Sequence, residues 1–160
     1  MLKPPRPAAA VPRKGTTVSD WKTIVVGVDG SPGSKTALNW AADEAADHGA
    51  DLVVLDVWEP TLLPSMGSGS VPQTGVADPG QRAAENLQEV IKAELGEDPR
   101  ILVRPRVKQG NPAEVLIEES ADADLLVVGT RGRGGFAGLV LGSVSQHVAA
   151  YAKCPVAVVR

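Results

Sequence analysis

The chain has 160 residues, 43% apolar and 22% charged, the balance of a folded domain large enough to bury one real core. Aromatic residues make up only 3%, so that core must be built from Val, Leu, Ile and Ala, which favours helices packed on a buried sheet over a small aromatic-rich barrel. A net charge of −3 gives no sign of nucleic acid or a membrane as partner, no run approaches the ~20 apolar residues of a membrane span, and the single cysteine, Cys154, leaves no internal disulfide framework and makes a reducing compartment the expectation.

Residues 1–17 mix prolines and basic residues around the short run Ala8-Ala9-Ala10-Val11, which lacks the longer apolar centre of a signal peptide. Residues 1–20 are therefore expected to be a disordered tail, followed by one domain over 21–160, in a cytoplasmic protein. The first strand is Thr23-Ile24-Val25-Val26-Gly27-Val28-Asp29, ended by Gly30-Ser31-Pro32-Gly33. Its apolarity is continuous rather than alternating, which predicts burial on both faces, as in a parallel sheet. Leu38, Ala41, Ala42 and Ala45 follow at helical spacing, with Ser34 the expected N-cap and Gly49 the expected stop. A second buried strand is Leu52-Val53-Val54-Leu55-Asp56-Val57-Trp58, in which Asp56 stands out.

From Glu59 to about Ala77 the composition turns to Pro, Gly, Ser and Thr without period, the pattern of a long surface loop. Asp78-Pro79 opens a helix whose expected inner face is Ala84, Leu87, Val90 and Ile91, ending near Gly96. Residues 101–107 read as a third strand, and Pro105 inside it places that strand at a sheet edge, because proline cannot donate to the ladder. Asn111-Pro112 starts the next helix, with Ala113, Leu116, Ile117 and Ser120 inward; Leu125-Leu126-Val127-Val128 is a fourth buried strand. Ser143 is the expected cap of a last helix running to about Ala152, before a final strand, Pro155-Val156-Ala157-Val158-Val159.

This alternation predicts an α/β fold, a doubly wound five-stranded parallel sheet of strand order 3-2-1-4-5 with helices on both faces. The order reverses between strands one and four, so a ligand crevice is expected beyond their C-terminal ends, at Asp29-Gly30 and Gly129-Thr130. The second of these opens the segment richest in chemical potential. Six glycines occur from Gly129 to Gly142 inclusive, Arg131 and Arg133 add positive charge, and no Asp or Glu occurs after Asp124. Glycines permit close backbone approach to a phosphate, and the helix start beyond them supplies oriented N–H donors. The Gly-Lys-Ser/Thr of a Walker A loop is absent, and the dinucleotide lookalike Gly132-Arg133-Gly134-Gly135-Phe136-Ala137 lacks the acidic residue ~20 positions on that would bind a ribose. A flexible closure of a crossover is the structural alternative.

The spacing Gly129-x2-Gly132-x9-Gly142-Ser143 resembles the ATP-binding motif of the universal stress protein family, as do the opening Val26-Gly27-Val28-Asp29-Gly30-Ser31 and the ending Lys153-Cys154-Pro155-Val156-Ala157-Val158-Val159. The resemblance runs from about Trp21 to Arg160. It implies an adenine nucleotide alpha-hydrolase-like fold and a nucleotide-responsive regulator of stress adaptation rather than an enzyme. By the same resemblance Asp29 lies against the nucleoside, and Gly27 and Val57 line the adenine. Gly129, Arg131 and Gly132 wrap the ribose and first phosphates, while Gly142, Ser143, Val144 and Ser145 hold the outer ones. Which loop arginine meets phosphate is left open. The ligand is expected to be ATP, with any Mg²⁺ arriving on the triphosphate, and a homodimer is expected through the last strand, whose apolar edge would otherwise be bare. A slow ATPase, a cyclic-AMP binder and a ligand-free scaffold of the same fold are the alternatives. A phosphoacceptor receiver domain shares the strand order but would want an acidic pair after strand one, where Asp29 stands alone. Asp29 could also end its strand in an Asx turn. His147 and Cys154 read as packing residues, and His48 as a partner of a helix end.

Overall fold

The computed structural model describes residues 21–60, 78–97, 99–133 and 141–160. Among these residues five strands, β1 (Thr23–Gly27), β2 (Asp51–Trp58), β3 (Val103–Gln109), β4 (Leu125–Gly129) and β5 (Val156–Val159), alternate with four helices, α1 (Pro32–His48), α2 (Pro79–Leu95), α3 (Pro112–Glu119) and α4 (Ser143–Tyr151). Every pairing is parallel and the sheet order is β3-β2-β1-β4-β5, as the sequence predicts.

The β-branched runs make two cores at once. Ile24, Val26, Leu52, Val54, Leu125 and Val127 point to the face covered by α1 and α2, where they meet Leu38, Ala41, Leu87 and Ile91. Their neighbours Val25, Val53, Leu55, Leu126 and Val128 point to the other face and meet Val115, Leu116 and Val148 of α3 and α4. Consecutive strand residues are thus both buried, which is why these strands carry no polar alternation. β3 is the exception and lies at an edge, with Pro105 opposite Val54. Its outward cations are matched: Arg104 to Asp51 (2.8 Å), and Arg106 (2.9 Å) and Lys108 to Glu119.

Element boundaries shift from expectation in instructive ways. Ser31, not Ser34, caps α1, accepting from the Ser34 N–H at 3.2 Å, because Pro32 takes the first helical position that its fixed φ suits. β1 ends at Gly27 because Asp29 is folded into a turn. On α2 the inward alanine is Ala83, with Ala84 exposed. On α3, Val115 joins Ala113 and Leu116 in the core, with Ser120 buried just beyond. Gly142 rather than Ser143 is the N-cap of α4. The expected tail over 1–20, most of the expected loop after Glu59 and residues 134–140 of the glycine-rich segment lie outside the described residues.

Candidate functional site

In a parallel sheet every crossover helix starts at the same edge, the C-terminal ends of the strands. α1 leaves β1 on one face and α4 follows β4 on the other, so the two chain segments part between β1 and β4. On the α3/α4 side of that split lies a cleft. Gly27, Leu55 and Val57 form one wall, Pro112 and Leu116 of α3 the second, and Gly129, Arg131, Gly132, Val144 and Ser145 the third, with Asp29 at the rim. The walls are mostly apolar and the polar groups few, the pattern of a small-molecule site.

The glycines of this cleft serve different ends. A Cβ on Gly129 would stand 2.8 Å from the backbone carbon and oxygen of Gly33, so the end of β4 lies directly on the start of α1. A Cβ on Gly132 would stand 2.5 Å from Asp29 Oδ2, so this glycine lets the carboxylate reach the loop. A Cβ on Gly27 would meet the Leu116 methyls at 3.1 Å and fill the cleft floor. Gly142 packs on the loop from the far side: its N–H donates to the Thr130 carbonyl at 2.7 Å, and a Cβ there would lie 3.5 Å from Arg131 Cα.

Asp29 organises the rim. Its Oδ1 accepts the Ser31 N–H at 2.9 Å, which is the Asx turn, and its Oδ2 accepts the Arg133 N–H at 3.0 Å. Asp29 therefore does form the Asx turn, and the turn leaves the carboxylate at the crevice and tied to the glycine-rich loop. Burial pushes its pKa up, but hydrogen bonds from Ser31, Ser34 and Arg133 outweigh this and hold it below the ordinary carboxylate range. Asp56 is the opposite case. Burial raises its pKa; the Arg133 charge offsets part of that, and Asp29 adds to it.

Of the expected site residues, Gly27, Asp29, Val57, Gly129, Arg131, Gly132, Val144 and Ser145 line the cleft. Gly142 and the exposed Ser143 stand at the α4 start beside it. The Ser145 hydroxyl serves the fold: it donates to the carbonyls of Gly129 (2.7 Å) and Thr130 (3.2 Å) and ties α4 to β4. Pro112 and Leu116 were not foreseen as walls, though Leu116 already reads as an inward residue of its helix. Ser31 and Ser34, which orient Asp29, carry no sequence signal beyond the turn itself. His147 packs on Tyr151, ring centroids 4.9 Å apart, and His48 packs at a tilt against Trp21 (4.7 Å) and lies 3.6 Å from Glu44. Cys154 packs at the edge of the α3/α4 core. Among the described residues no group of three or more His, Cys, Asp or Glu could hold a metal, and no helix is long and apolar enough to cross a membrane.

Comparison with known proteins gives a consistent answer. The sequence model of the universal stress protein family matches residues 20–160. A universal stress protein of Mycolicibacterium smegmatis is 41% identical over 145 residues, 86% of this chain and 45% of that protein. One from Mycobacterium tuberculosis is 38% identical over 138 residues, 86% of this chain and 44% of that protein. The chain thus spans less than half the length of these relatives. Among solved structures, universal stress protein UspA from Lactobacillus plantarum superposes with a TM-score of 0.68 at 19% identity, covering 88% of this chain and 99% of that one. A universal stress protein in complex with cAMP superposes with a TM-score of 0.60 at 30% identity, covering 88% of this chain and 98% of that one.

Proposed function

The chain belongs to the universal stress protein family, and from that premise we propose that it binds an adenine nucleotide, ATP in the first place, in the β1/β4 cleft and acts as a nucleotide-responsive regulator rather than an enzyme. The observation that carries this reading is a juxtaposition. The apolar slot between Val57 and Leu116 would take the base, Asp29 stands at its rim, and the Gly129-to-Gly132 turn is stacked against Gly142 at the start of α4. Gly142 brings no side chain, so the α4 N-terminus has no acceptor of its own in the capping position. Phosphate oxygens suit such a start, since a helix N-terminus offers oriented N–H groups and the positive end of its dipole. Arg131 lines the cleft, which supports it as the arginine that would meet the phosphates. Mg²⁺ would come with the triphosphate. Regulation rather than turnover is favoured because Asp29, the carboxylate at the rim of the cleft, is already engaged by N–H donors. Cyclic AMP is the second reading, favoured by the 30% identical structure that holds it. A homodimer through β5, whose Val156-Val159 edge is apolar, and a cytoplasmic location complete the proposal.

The test is the thermal midpoint with ATP-Mg²⁺, ADP, cyclic AMP and GTP. A ligand at 100 times its Kd stabilises by about 2.7 kcal/mol, roughly 5–10 °C for a domain of this size. The expected outcome is a shift with ATP that is lost in Gly132→Val. A shift with cyclic AMP alone makes the second reading the first, and no shift with any of the four ends the nucleotide reading.

A further inference from the structure

The glycine-rich segment has two sides, and the nucleotide cleft uses one of them. Thr130, Arg131 and Gly132 run between two helix starts: a Cβ on Gly33 of α1 would stand 2.9 Å from the Arg131 carbonyl oxygen, and a Cβ on Gly142 would lie 3.5 Å from Arg131 Cα. On the α1 side lies a second cleft, of about 530 Å³, lined by Ser31 and Gly33 at the α1 start, by Thr130 to Gly132, and by Arg160. The sheet brings Arg160 there. β5 runs parallel to β4 with Val159 opposite Gly129, and the Thr130 N–H donates to the Val159 carbonyl at 2.9 Å, so the residue after β5 emerges beside the loop.

Two arginines therefore line one cleft, and no acid answers them. No Asp or Glu follows Asp124 in the chain, and among the described residues no ion pair engages Arg131 or Arg160. The exposed cations of β3 show the contrast, since Arg104 is matched by Asp51, and Arg106 and Lys108 by Glu119. Asp29, the carboxylate on the loop, spends both oxygens on the N–H groups of Ser31 and Arg133. The α1 start is not the source of attraction either: Ser31 caps it and Pro32 brings no N–H. What the cleft offers is guanidinium, a permanently charged planar fork whose spacing matches the oxygens of a phosphate.

We propose that this second cleft is a phosphate-binding site in which Arg160, with Arg131, holds the oxygens of a phosphate group. Arg131 and Gly132 line both clefts, so the phosphate has two possible sources. One is the outer end of the nucleotide itself, reached across Gly132, and this source rests on the nucleotide reading above. The other is a free phosphate-bearing molecule, which does not depend on that reading.

Isothermal titration of the full chain with pyrophosphate, adenosine, ADP and ATP tests this, in the unaltered protein, in Arg160→Gln and in Lys22→Gln. Lys22 precedes β1 at the opposite edge of the sheet, so its replacement removes the same charge far from the cleft. Both residues are exposed, and the thermal midpoint of each free variant checks that the fold is kept. Arg160→Gln should weaken a phosphate ligand about tenfold, the low end for a charge-assisted hydrogen bond, and leave adenosine unchanged, while Lys22→Gln should change neither. A loss for pyrophosphate with ATP and ADP unaltered assigns the site to a free phosphate-bearing molecule. A loss for ATP assigns it to the nucleotide's own outer phosphate. Equal losses in Arg160→Gln and Lys22→Gln would overturn the inference, because net charge alone would then act. Pyrophosphate and ATP both indifferent to Arg160→Gln would overturn it too, and would leave the nucleotide reading intact wherever ATP binds. A chain that holds pyrophosphate through Arg160 but binds neither adenosine nor ATP keeps this site and loses the nucleotide reading.

Discussion

The four helices among the described residues begin at one edge of the sheet, and they begin in two different ways. α1, α2 and α3 each open with a polar residue followed by proline. Ser31 accepts the Ser34 N–H at 3.2 Å, Asp78 the Gly80 N–H at 3.3 Å, and Asn111 the N–H groups of Ala113 and Glu114 at 3.0 and 3.3 Å. In each the proline occupies a position whose N–H would have had no helical partner. α4 opens with Gly142-Ser143, with no capping side chain and no proline. The three closed starts spend their end charge on the fold. The open one faces the cleft, and it is the start that the glycine-rich segment leads into. The difference separates structure from function along a single sheet edge: a helix that exists only to cover the sheet terminates itself, while the helix beside the cleft leaves its terminus for something else to finish.

The largest expected effect tests where the two kinds of start touch. Gly129→Ala sets a Cβ 2.8 Å from the Gly33 backbone, and backbone cannot turn aside as a side chain can. We expect a loss of about 3 kcal/mol in urea unfolding, the upper range of overpacking, together with loss of any ligand-dependent stabilisation. A loss below about 0.5 kcal/mol would show that β4 and α1 can separate freely. The next test converts the open start into a closed one. Gly142 has φ −75° and ψ 166°, which any residue can adopt, so Gly142→Asp would give α4 the cap the other helices have. The free protein should gain a few tenths of a kcal/mol, while the added carboxylate should remove most of the shift produced by ATP. Retention of the full shift would break the comparison. In the other direction, Asn111→Ala opens a closed start. It should cost about 1 kcal/mol and leave the ligand-dependent increment unchanged, because that cap serves only α3.

Much of this comparison can be read from the sequence, and the part that cannot has a physical cause. Strand order followed from continuous apolar runs and from one proline, Pro105, because burial on both faces and a missing donor are properties of single residues. The meeting of Asp29 with the glycine-rich segment followed from topology. Ser31 and Ser34 could not be ranked as caps from sequence, since both are good N-cap types and only the position of Pro32 in the folded turn decides. Ala83 and Ala84 differ by one position on a helix, and alanine gives periodicity too weak a signal to separate them. The roles of the two arginines were not legible either. Arg131 and Arg133 have the same chemistry and near-identical surroundings in sequence. What parts them is the packing of one guanidinium on Gly30, a contact 103 residues away in the chain.

The smallest effect sets the two carboxylates of the rim against each other. Asp29 has a folded-state pKa below its unfolded value, so its ionised form contributes stability that is present above the unfolded pKa of about 3.9 and is lost as pH falls through the lower folded one. Asp56 has a folded-state pKa above its unfolded value, so its ionised form costs stability at neutral pH, and that cost is relieved as pH falls through the raised pKa. The consequences have opposite signs within one crevice. At about pH 7, Asp56→Asn should melt above the unaltered protein, with a difference that shrinks on acidification and closes near the unfolded pKa of about 3.9. Asp29→Asn should melt below it at the same pH, and that deficit should persist to pH 4 and shrink only beneath it. Thermal midpoints of the three proteins from neutral to acid pH are enough to decide. If the two variants shift in the same direction at neutral pH, the hydrogen bonds at Asp29 do not outweigh its burial, and the rim is not divided between a carboxylate the fold welcomes and one that its burial disfavours.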